Sequence, residues 1–482
     1  MCGERRRRPY ELMHPPLMRS ASTGSPGRRG PIDAVRAVIW VAESGRSAQY
    51  IPVLAASRIH AAELLTRARL RPQHSYIDVL TSSELMTPGE AGLLPLSSVS
   101  VLDIGGPLSA YASKLLADFG ADVLKVEPPA GDELRQAPPL RANGESLVFA
   151  YYHGNKRSVR LDVSMPAAEP LLEELAAGCD VVLLTPTVSR PVAGLNLRDG
   201  RLNWAAERSI VCCLTPFGLA GPLSGWQMTP LTSFAISGLM YKMGAPSEPP
   251  AALPGRQAWD ELGVHAVIVV FAALRARTDT HGQFIDLAVH DCLSAQDEVI
   301  QRYSVAGVIQ SRGEPQSYPP TGPWDCSDGR IEFQVHTERH WAGFVEILDH
   351  PAQLADPALA QRLIRSERAE GLSHDIANLL ASRSRYELVA RGQAAGVPCG
   401  LLNTVAQFTS DEQVLARELI VSRQHPALKA TRMPGTPFHS SQPLTAFRRP
   451  APLLGQHEDE VYRQQLGHTA DDLARWRGDG LV

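Results

Sequence analysis

One βαβ segment near residue 100 limits the fold of this chain more than any other feature of its sequence. Val99–Ile104 is a β-branched apolar run that ends at Gly105-Gly106. Helical spacing of apolar residues follows over Ser109–Phe119, and Gly120 stands where a helix C-cap prefers glycine. Ala121–Val126 is the next β-rich run. Two strands joined by one short helical crossover must lie parallel, with a right-handed connection.

The same alternation continues toward residue 240. Further strands are predicted at Ser158–Leu161, Asp180–Leu184 and Ile210–Leu214, and helices at Ala167–Ala176 and Leu231–Met240. Strands that alternate with helices are typical of an open parallel sheet with helices on both faces. The sequence therefore predicts an α/β fold.

At 482 residues the chain exceeds one typical domain of ~100–200 residues, so several units are expected. Residues 1–32 are rich in Arg, Pro, Ser and Gly and predict a disordered tail. Residues 33–95 form an extension of unassigned role, which we interpret as a small α/β unit with a strand at Ala34–Ala42 and helical spacing over Ile51–Leu70. We expect a large domain over 96–300, a smaller α+β domain over 325–410, and a C-terminal segment, 411–470, that returns to the large domain.

Composition excludes some classes of partner. A formal net charge of −4 gives no reason to expect nucleic acid. No uninterrupted apolar run reaches the ~18 residues of a membrane span, and the arginines at 5–8 are not followed by the apolar region of a secretory signal. Cys212 and Cys213 are adjacent in an apolar run, which favours buried thiols over a metal or disulfide site. We expect a cytoplasmic protein with no membrane contact.

The glycines after the first strand do not make a dinucleotide fingerprint. That motif needs G-x-G-x-x-G at the turn from strand to helix, so that the backbone can approach a pyrophosphate. Here the turn reads Gly105-Gly-Pro-Leu-Ser-Ala110, without the third glycine. The sequence therefore argues against a nicotinamide or flavin cofactor.

Several segments together resemble the family III CoA-transferases, the group of formyl-CoA and carnitine CoA-transferases. The matching segments occur in the family's order at Val101–Ile104, Leu115–Asp132, Asn155–Asp162, Gly218–Met240, Gly282–Asp291, Ala395–Gly400, His425-Pro426, Met433–Pro437 and Ala451–His457. They extend from about Ser98 to about Gly467. Their number and order identify the chain as a member of that family.

The segment Gly218–Met240 is similar to the part of the family that carries the nucleophilic aspartate. Gly221-Pro222 and Ser237–Met240 fix its register from both sides, and counting inward from either places Pro230 where the aspartate belongs. In the family that carboxylate attacks an acyl thioester and then holds CoA as a covalent thioester. Proline has neither a nucleophile nor a backbone N–H. By this resemblance the chain is a divergent member that lacks the catalytic aspartate.

The resemblance also implies an architecture and ligands. It implies a Rossmann-like domain with a smaller domain interposed, and two chains interlocked like links, as a homodimer or as a heterodimer with an active paralogue. It implies coenzyme A or acyl-CoA and a small carboxylic acid as ligands, with no permanently bound cofactor. No metal site is expected.

Candidate site residues follow from the resemblance and from residue type. No catalytic residue is assigned with Pro230 in the nucleophile position; Asp260 and Glu261 are the acids considered as substitutes. The resemblance implies CoA contacts at Leu108, Lys125, Glu127, Asp132 and Arg190. Asp260 equally suits a helix N-terminal cap or dipole role.

Three functional hypotheses remain open at this point. The chain is a non-catalytic or partner subunit of a CoA-transferase, which the proline favours. Alternatively it is an active CoA-transferase that uses another acid. The third hypothesis is an acyl-CoA racemase-like or acyl-CoA-binding protein.

Overall fold

A computed structural model describes residues 35–41, 49–55, 94–186, 197–198, 201–202, 207–245, 247–278, 281–296, 298–309, 312 and 318–482. The chain divides into two compact units, Met1–Glu84 and Leu85–Val482. In the first unit, β1 (Val35–Val41) and β2 (Gln49–Ala55) pair antiparallel. The helical spacing expected from Ile51 is therefore wrong over 51–55, where apolar residues pair with β1 instead. The predicted tail, 1–32, lies outside the described residues.

The second unit contains the remaining elements. Its strands are β3 (Ser100–Ile104), β4 (Asp122–Glu127), β5 (Arg157–Arg160), β6 (Val181–Leu184), β7 (Leu197–Arg198), β8 (Arg201–Leu202), β9 (Ile210–Thr215), β10 (Phe284–Ala288), β11 (Gly322–Cys326), β12 (Gly329–Phe333), β13 (Cys399–Leu402), β14 (Ile420–His425) and β15 (Lys429–Pro434). Its helices are α1 (Gly106–Asp118), α2 (Leu147–Tyr152), α3 (Glu169–Ala176), α4 (Pro230–Ile236), α5 (Gln257–Ala276), α6 (Val289–Ala295), α7 (Glu298–Ala306), α8 (Glu338–Ile347), α9 (Arg362–Glu367), α10 (Ala369–Ala381), α11 (Arg385–Ala394), α12 (Val405–Phe408), α13 (Glu412–Ala416) and α14 (Ala470–Gly478).

The centre of this unit is a six-stranded sheet in the order β10-β9-β6-β3-β4-β5. Every neighbouring pair in it is parallel, which confirms the predicted parallel α/β sheet. Numbered along the chain from β3, the order is 3-2-1-4-5-6, the arrangement of a doubly wound dinucleotide-binding fold. The chain winds outward from β3 to β5 on one side and from β6 to β10 on the other.

Alternate residues of the strands are buried on opposite faces of this sheet. Val101, Val123 and Leu183 pack into a core with α1, α5 and α6. Their neighbours in sequence, such as Leu102 and Leu124, pack on the other face with α3 and the C-terminal residues. Burial on both faces explains why these strands read as continuous apolar runs.

Cys212 and Cys213 follow the same alternation. Cys212 belongs to the core with α1 and α5, and Cys213 to the opposite core. Both side chains are fully buried free thiols, and burial raises the pKa of Cys212 to about 12. The two cysteines therefore lie in the core, as their apolar neighbours predict.

Two helices differ in extent from the sequence prediction. α1 begins at Gly106 rather than Ser109, because Pro107 suits the first turn of a helix, where its missing N–H is not needed. α4 covers Pro230–Ile236 and stops short of Met240. Gly238 has a φ of 88° there, a left-handed conformation that ends the helix, and a short 3-10 turn, Leu239–Lys242, follows.

A second, smaller sheet has its own core. β11, β12 and β13 pair antiparallel, and Phe333 and Phe344 are fully buried between this sheet and α8. β11 begins at Gly322, shortly before the range 325–410 expected for the smaller α+β domain.

The C-terminal residues pack onto the large sheet. Val461, Tyr462 and Leu473 lie in the core with Leu102, and the Tyr462 hydroxyl donates to the carbonyl of Arg160 at 2.6 Å. The chain thus returns to the first strands of the large sheet after the smaller sheet is complete.

Within the described residues, α5 is long and apolar enough to cross a membrane by length and composition alone, with a mean hydropathy of 1.3 over 18 residues. Leu262, Ala266 and Val270 on this helix are fully buried in the core beside α1. These residues give α5 one face that packs against α1 in the core of the unit.

Gly263 allows α1 and α5 to pack closely. A Cβ at this position would stand 2.9 Å from Tyr111 Cβ and 3.0 Å from the Ala112 backbone nitrogen. Gly263→Ala should lower the apparent Tm, because overpacking a helix contact typically destabilises by ~1–3 kcal/mol. Gly371→Ala on α10, where a Cβ would meet nothing within 4 Å, is the matched control and should raise the Tm slightly through helix propensity. Thermal melting of both variants checks the prediction, and equal shifts would contradict it.

Candidate functional site

The sheet order places its switch point at the carboxyl ends of β3 and β6, which is the position of the ligand crevice in doubly wound folds. β4 and β5 lie on one side of β3, and β6, β9 and β10 lie on the other side. In doubly wound folds such a switch point separates the loops that follow the two strands and forms the ligand crevice. Here those loops are Gly105-Gly106, which opens α1, and Thr185, which follows β6.

The turn into α1 is tightly packed. A Cβ on Gly105 would stand 2.4 Å from Ser109 Cβ and 3.2 Å from Thr185 Oγ1. Gly106 has a φ of 59°, and the Gly105 N–H donates to Asp103 Oδ1 at 3.2 Å. Thr185 Oγ1 is buried and has no hydrogen-bond partner in the described part of the chain. Glycine is therefore needed at both positions, because residue 105 has no room for a Cβ and residue 106 has a positive φ. The hydroxyl of Thr185 lies beside this turn.

A buried ionic network lies beneath this turn. Lys125 Nζ lies 3.0 Å from Asp132 Oδ2 and 3.7 Å from Asp103 Oδ1, and Lys156 Nζ lies 3.6 Å from Asp103 Oδ2. All four side chains are at most 2% exposed. The network joins β3 to β4 and to the residue that precedes β5, so it fixes the first three strands of the sheet to one another.

Glu127 anchors the other end of the same network. Its carboxylate accepts two hydrogen bonds from Arg135, at 2.7 and 2.8 Å, and one from Ser158 Oγ at 2.6 Å. It also accepts from the Asp132 backbone N–H at 3.0 Å. The charge of Glu127 is therefore satisfied within the chain.

Three of the five predicted CoA contacts thus lie together. Lys125, Glu127 and Asp132 are buried, and each is engaged by another part of this network. Leu108 lies in the first turn of α1, at the switch point, and is 9% exposed. Arg190 falls outside the described residues. A direct contact of these residues with CoA stays a prediction.

Burial and charge shift the pKa values in this network in opposite directions. Burial raises the pKa of Asp103, but the charges of Lys125 and Lys156, with hydrogen bonds from Ser109 and Ser113, outweigh it and hold the pKa at about 2. Burial lowers the pKa of Lys156 to about 8, against the pull of Asp103. Asp103 is therefore ionised at neutral pH.

His153 lies at the inner end of the network. Lys156 Nζ lies 3.1 Å from its Nδ1, and burial together with that ammonium group holds the pKa of His153 well below its usual range. Its Nε2 is buried without a partner among the described residues. The imidazole is therefore neutral, and it is packed against Phe149 at a ring distance of 4.3 Å.

Pro230 is the first residue of α4. Thr229 caps the helix, and Thr229 and Thr232 form a reciprocal capping box through their hydroxyls and backbone N–H groups. Proline is well suited to this position, since its missing N–H would have no partner in the helix and its fixed φ matches the first turn. The local structure explains how a proline is accommodated at residue 230.

The two substitute acids lie in different surroundings, although they are adjacent on α5. The Tyr152 hydroxyl donates to Asp260 Oδ1 at 2.7 Å. Burial raises the pKa of Asp260, with the Tyr152 hydrogen bond and Arg256 opposing it. Glu261 Oε1 lies 3.1 Å from His265 Nδ1 and also accepts from Gln296. Asp260 is thus partly buried toward α2, and Glu261 belongs to the outer face of α5.

Sequence reasoning missed Tyr152, Arg256, Trp259 and Thr185. Arg256 Cζ lies 4.3 Å from the centre of the Trp259 ring and 5.9 Å from that of Tyr152. Tyr152 and Asp260 are 108 residues apart in sequence, so local patterns could not pair them. The sequence signal nearest to this group of side chains is the pair Tyr151-Tyr152, which stands shortly before Asn155-Lys156. No group of three or more His, Cys, Asp and Glu residues suited to a metal ion occurs among the residues that the structure describes.

Asp103→Asn tests the buried network. It removes the negative charge that Lys125 and Lys156 share, and removing one partner of a buried pair typically costs about 3–5 kcal/mol. Because the folded pKa of Asp103, about 2, lies below the usual 3.8, its stabilisation is complete above about pH 4 and is lost as the pH falls through 2. The variant should therefore melt well below the wild type at neutral pH, and the gap should narrow in acid.

Asp356→Asn is the control for that experiment. Asp356 pairs with Arg368 at 2.6 Å, but both side chains are exposed. Exposed pairs are screened by solvent, so this variant should melt close to the wild type at every pH. Equal melting of the Asp103 variant and the wild type near pH 7 would contradict the stabilising role of the network.

Comparison with known proteins agrees with the fold and the order of the motifs. Residues 96–458 match the family model described as CoA-transferase family III. The beta subunit of succinyl-CoA–L-malate CoA-transferase from Chloroflexus aurantiacus is 28% identical over 409 residues, covering 82% of this chain and 100% of that protein. Its alpha subunit is 27% identical over 422 residues, covering 83% of this chain and 96% of that protein. Human succinyl-CoA:glutarate CoA-transferase is 28% identical over 403 residues, covering 80% of this chain and 90% of that protein.

Solved structures share the fold. A CAIB/BAIF family protein from Brucella suis superposes with a TM-score of 0.68 at 24% identity, covering 77% of this chain and 99% of that chain. Rv3272 from Mycobacterium tuberculosis gives a TM-score of 0.65 at 23% identity, covering 77% and 99%. The family match spans most of the chain, including every strand of the parallel sheet and the smaller sheet. The chain therefore belongs to CoA-transferase family III.

Proposed function

We propose that this chain binds CoA or acyl-CoA in the crevice at the carboxyl ends of β3 and β6 and acts as a non-catalytic or partner subunit of a CoA-transferase. The observation that carries the proposal is Pro230 at the first position of α4. By the order of the motifs, this residue occupies the nucleophile position of the family. Family membership supports a CoA ligand at this crevice.

The family reaction explains why residue 230 matters. A carboxylate oxygen attacks the thioester carbonyl, the bond from carbon to sulfur breaks, and CoA leaves as the thiolate. The thiolate then attacks the mixed anhydride, which releases the acid and leaves an enzyme thioester. A proline side chain has no oxygen that could form either adduct. The covalent route through residue 230 is therefore closed in this chain.

One observation favours the alternative of an active transferase. Asp260 is a partly buried carboxyl group with a raised pKa, hydrogen-bonded to Tyr152 near the start of α1. Perturbed carboxyl groups of this kind are common at functional sites. A nucleophilic oxygen must, however, be free to attack, and Asp260 Oδ1 accepts a hydrogen bond from the Tyr152 hydroxyl. A racemase-like activity is less well supported, because the resemblance places its acid at residue 230 as well.

We also propose that the chain works as a dimer, either with itself or with an active paralogue. Apolar side chains lie exposed on α4, α5 and α7: Leu231, Ile236, Ile268, Tyr303 and Val305. α4 and α5 contact each other, and exposed apolar groups in such numbers favour an interface. The malate CoA-transferase of Chloroflexus aurantiacus has alpha and beta subunits, which makes a paired arrangement a reasonable expectation.

Pro230→Asp tests the nucleophile. The wild-type chain should form no hydroxylamine-sensitive adduct with acyl-CoA, because deletion of a nucleophile typically lowers the rate by ~10⁴–10⁶. The variant should form one, detected as CoA-dependent hydroxamate and by intact mass. Asp is compatible with the first turn of α4, where a negative charge favours the helix dipole.

Two further variants complete that experiment. Pro222→Asp, in the exposed turn before α4, is the matched control and should form no adduct. Asp260→Asn is made in the wild-type background to test the alternative. Turnover by the wild type that disappears in Asp260→Asn would overturn the proposed non-catalytic role.

The association proposal predicts that the wild-type chain sediments with the mass of two chains. Ile268 on α5 is 59% exposed in the single chain, so Ile268→Glu places a charge on the proposed interface and should lower the fraction of the protein that sediments as a dimer. Leu363→Glu on α9, at a similarly exposed position, is the control. Sedimentation of the wild type as a compact, cooperatively folded monomer would contradict the proposal.

A further inference from the structure

Arg256 is held at the crevice with few of its donors used. Its guanidinium lies over the Trp259 ring at 4.3 Å and beside Tyr152 at 5.9 Å. Among the described residues its hydrogen bonding is confined to one contact, from Nη2 to the Pro107 carbonyl at 3.5 Å. That distance is at the outer limit for a hydrogen bond, and a guanidinium has five N–H donors. The group is therefore positioned by aromatic stacking and left largely unpaired.

Two partly buried arginines of this unit that also lie near the large sheet have carboxylate partners. Arg135 lies over Phe149 at 3.8 Å, yet it also forms two hydrogen bonds with Glu127. Arg160 likewise pairs with Glu458 through two hydrogen bonds, at 2.5 and 3.0 Å. By contrast, none of the described carboxylates lies within 4.0 Å of the Arg256 nitrogens. Arg448, another half-buried arginine, is satisfied by the carbonyls of Ala117 and Ala121 at 2.8 and 2.7 Å. Arg256 has neither a carboxylate nor a short carbonyl contact of this kind among the described residues.

The acid that would be expected to pair with Arg256 is engaged elsewhere. Asp260 follows one turn later on α5, but its Oδ1 accepts from Tyr152 at 2.7 Å. Burial lowers the pKa of Arg256, while the nearby acidic groups Tyr152, Asp260, Asp132 and Glu133 act against that shift. An arginine stays protonated even so, which leaves a partly dehydrated positive charge with acids nearby but without a direct carboxylate partner among the described residues.

The surroundings of Arg256 offer further unused donors. Trp259 Nε1 and Thr185 Oγ1 are both buried without a partner in the described segments. The start of α1, whose Pro107 carbonyl contacts Arg256, carries no side-chain cap. The first turn of a 13-residue helix then presents free backbone N–H groups and a partial positive charge. Donors from three elements therefore converge on the same end of the sheet.

We propose that Arg256 binds an anionic oxygen pair of the ligand: the far carboxylate of a dicarboxylic acyl group, or a phosphate of CoA. A planar guanidinium held over an indole ring can bind either group through two parallel N–H···O bonds. The inference rests on the proposed function, since it places the ligand at the same crevice. It adds a specificity-determining cation that neither the motifs nor the buried network provides.

Binding measurements with three ligands separate the two sources of the anion. Succinyl-CoA and butyryl-CoA have acyl chains of equal length, and only succinyl-CoA carries the far carboxylate; free CoA lacks the acyl group. Each is titrated by calorimetry into wild-type protein, Arg256→Met and Arg275→Met. Arg275 is an exposed residue in the last turn of the same helix and is the matched control. Thermal melting of each variant shows that it is folded.

The expected result is a loss of affinity of about 10- to 100-fold in Arg256→Met, as for a hydrogen bond to a charged group. A loss for succinyl-CoA alone assigns the far carboxylate to Arg256. An equal loss for all three ligands assigns a phosphate. Unchanged affinity for all three, with Arg275→Met as reference, overturns the inference.

Two additional arms keep this test independent of the proposed function. Should the wild type bind none of the CoA compounds, the proposed function fails, and succinate and inorganic diphosphate are titrated instead. Binding that Arg256→Met abolishes still supports the anion site, whereas no binding of either anion overturns it. Should Arg256→Met not fold, Arg256→Lys takes its place; it keeps the charge but loses the planar fork, so weaker binding is expected and unchanged binding overturns the inference.

Discussion

The buried ion pairs of Lys125 hold together the part of the fold on which the crevice depends. Lys125 joins Asp103 at the end of β3 to Asp132 in the loop after β4, and all three side chains are nearly inaccessible to water. Asp103 also accepts from the Gly105 N–H, so the same carboxylate shapes the turn into α1. Charges buried this deeply are tolerated only when each is paired and hydrogen-bonded. A change in one of them is therefore transmitted to the strand ends and to the turn together.

Much of the fold follows from local sequence, because parallel βαβ units have few alternatives. The segment from Val99 to Val126 specifies its strands and its helix through apolar runs and through Gly120, and the structure differs there only at the element ends. The end of α4 was misjudged because Gly238 adopts a left-handed conformation that apolar spacing does not reveal. The strand at Gln49–Ala55 was misjudged because a short apolar run fits a helix and a strand equally well.

Less of the candidate site can be predicted from the sequence, because some of its residues lie far apart along the chain. Lys125, Glu127 and Asp132 lie within eight positions of one another, and motif resemblance selected them together; the structure brings them together too, in a buried network. Tyr152, Asp260 and the aromatic support of Arg256 come from segments about a hundred residues apart. Nothing in either segment alone indicates that the other is near. Only the packing of α5 along α1 creates that neighbourhood.

Under the proposed function, the chain binds a ligand but has no nucleophile at residue 230, and this has an energetic consequence. In an enzyme that uses covalent catalysis, contacts remote from the reacting bond offset the strain and desolvation of the reaction step. Under the proposed function no such step occurs at residue 230, so the same contacts appear entirely as affinity for the ligand. A tightly bound ligand stabilises the folded chain by RT ln(1 + [L]/Kd), and it stabilises an assembly that needs this chain in the same way. Under the proposed function, a proline at residue 230 and an arginine without a carboxylate partner at the crevice are therefore compatible features of a subunit that binds its ligand without reacting with it.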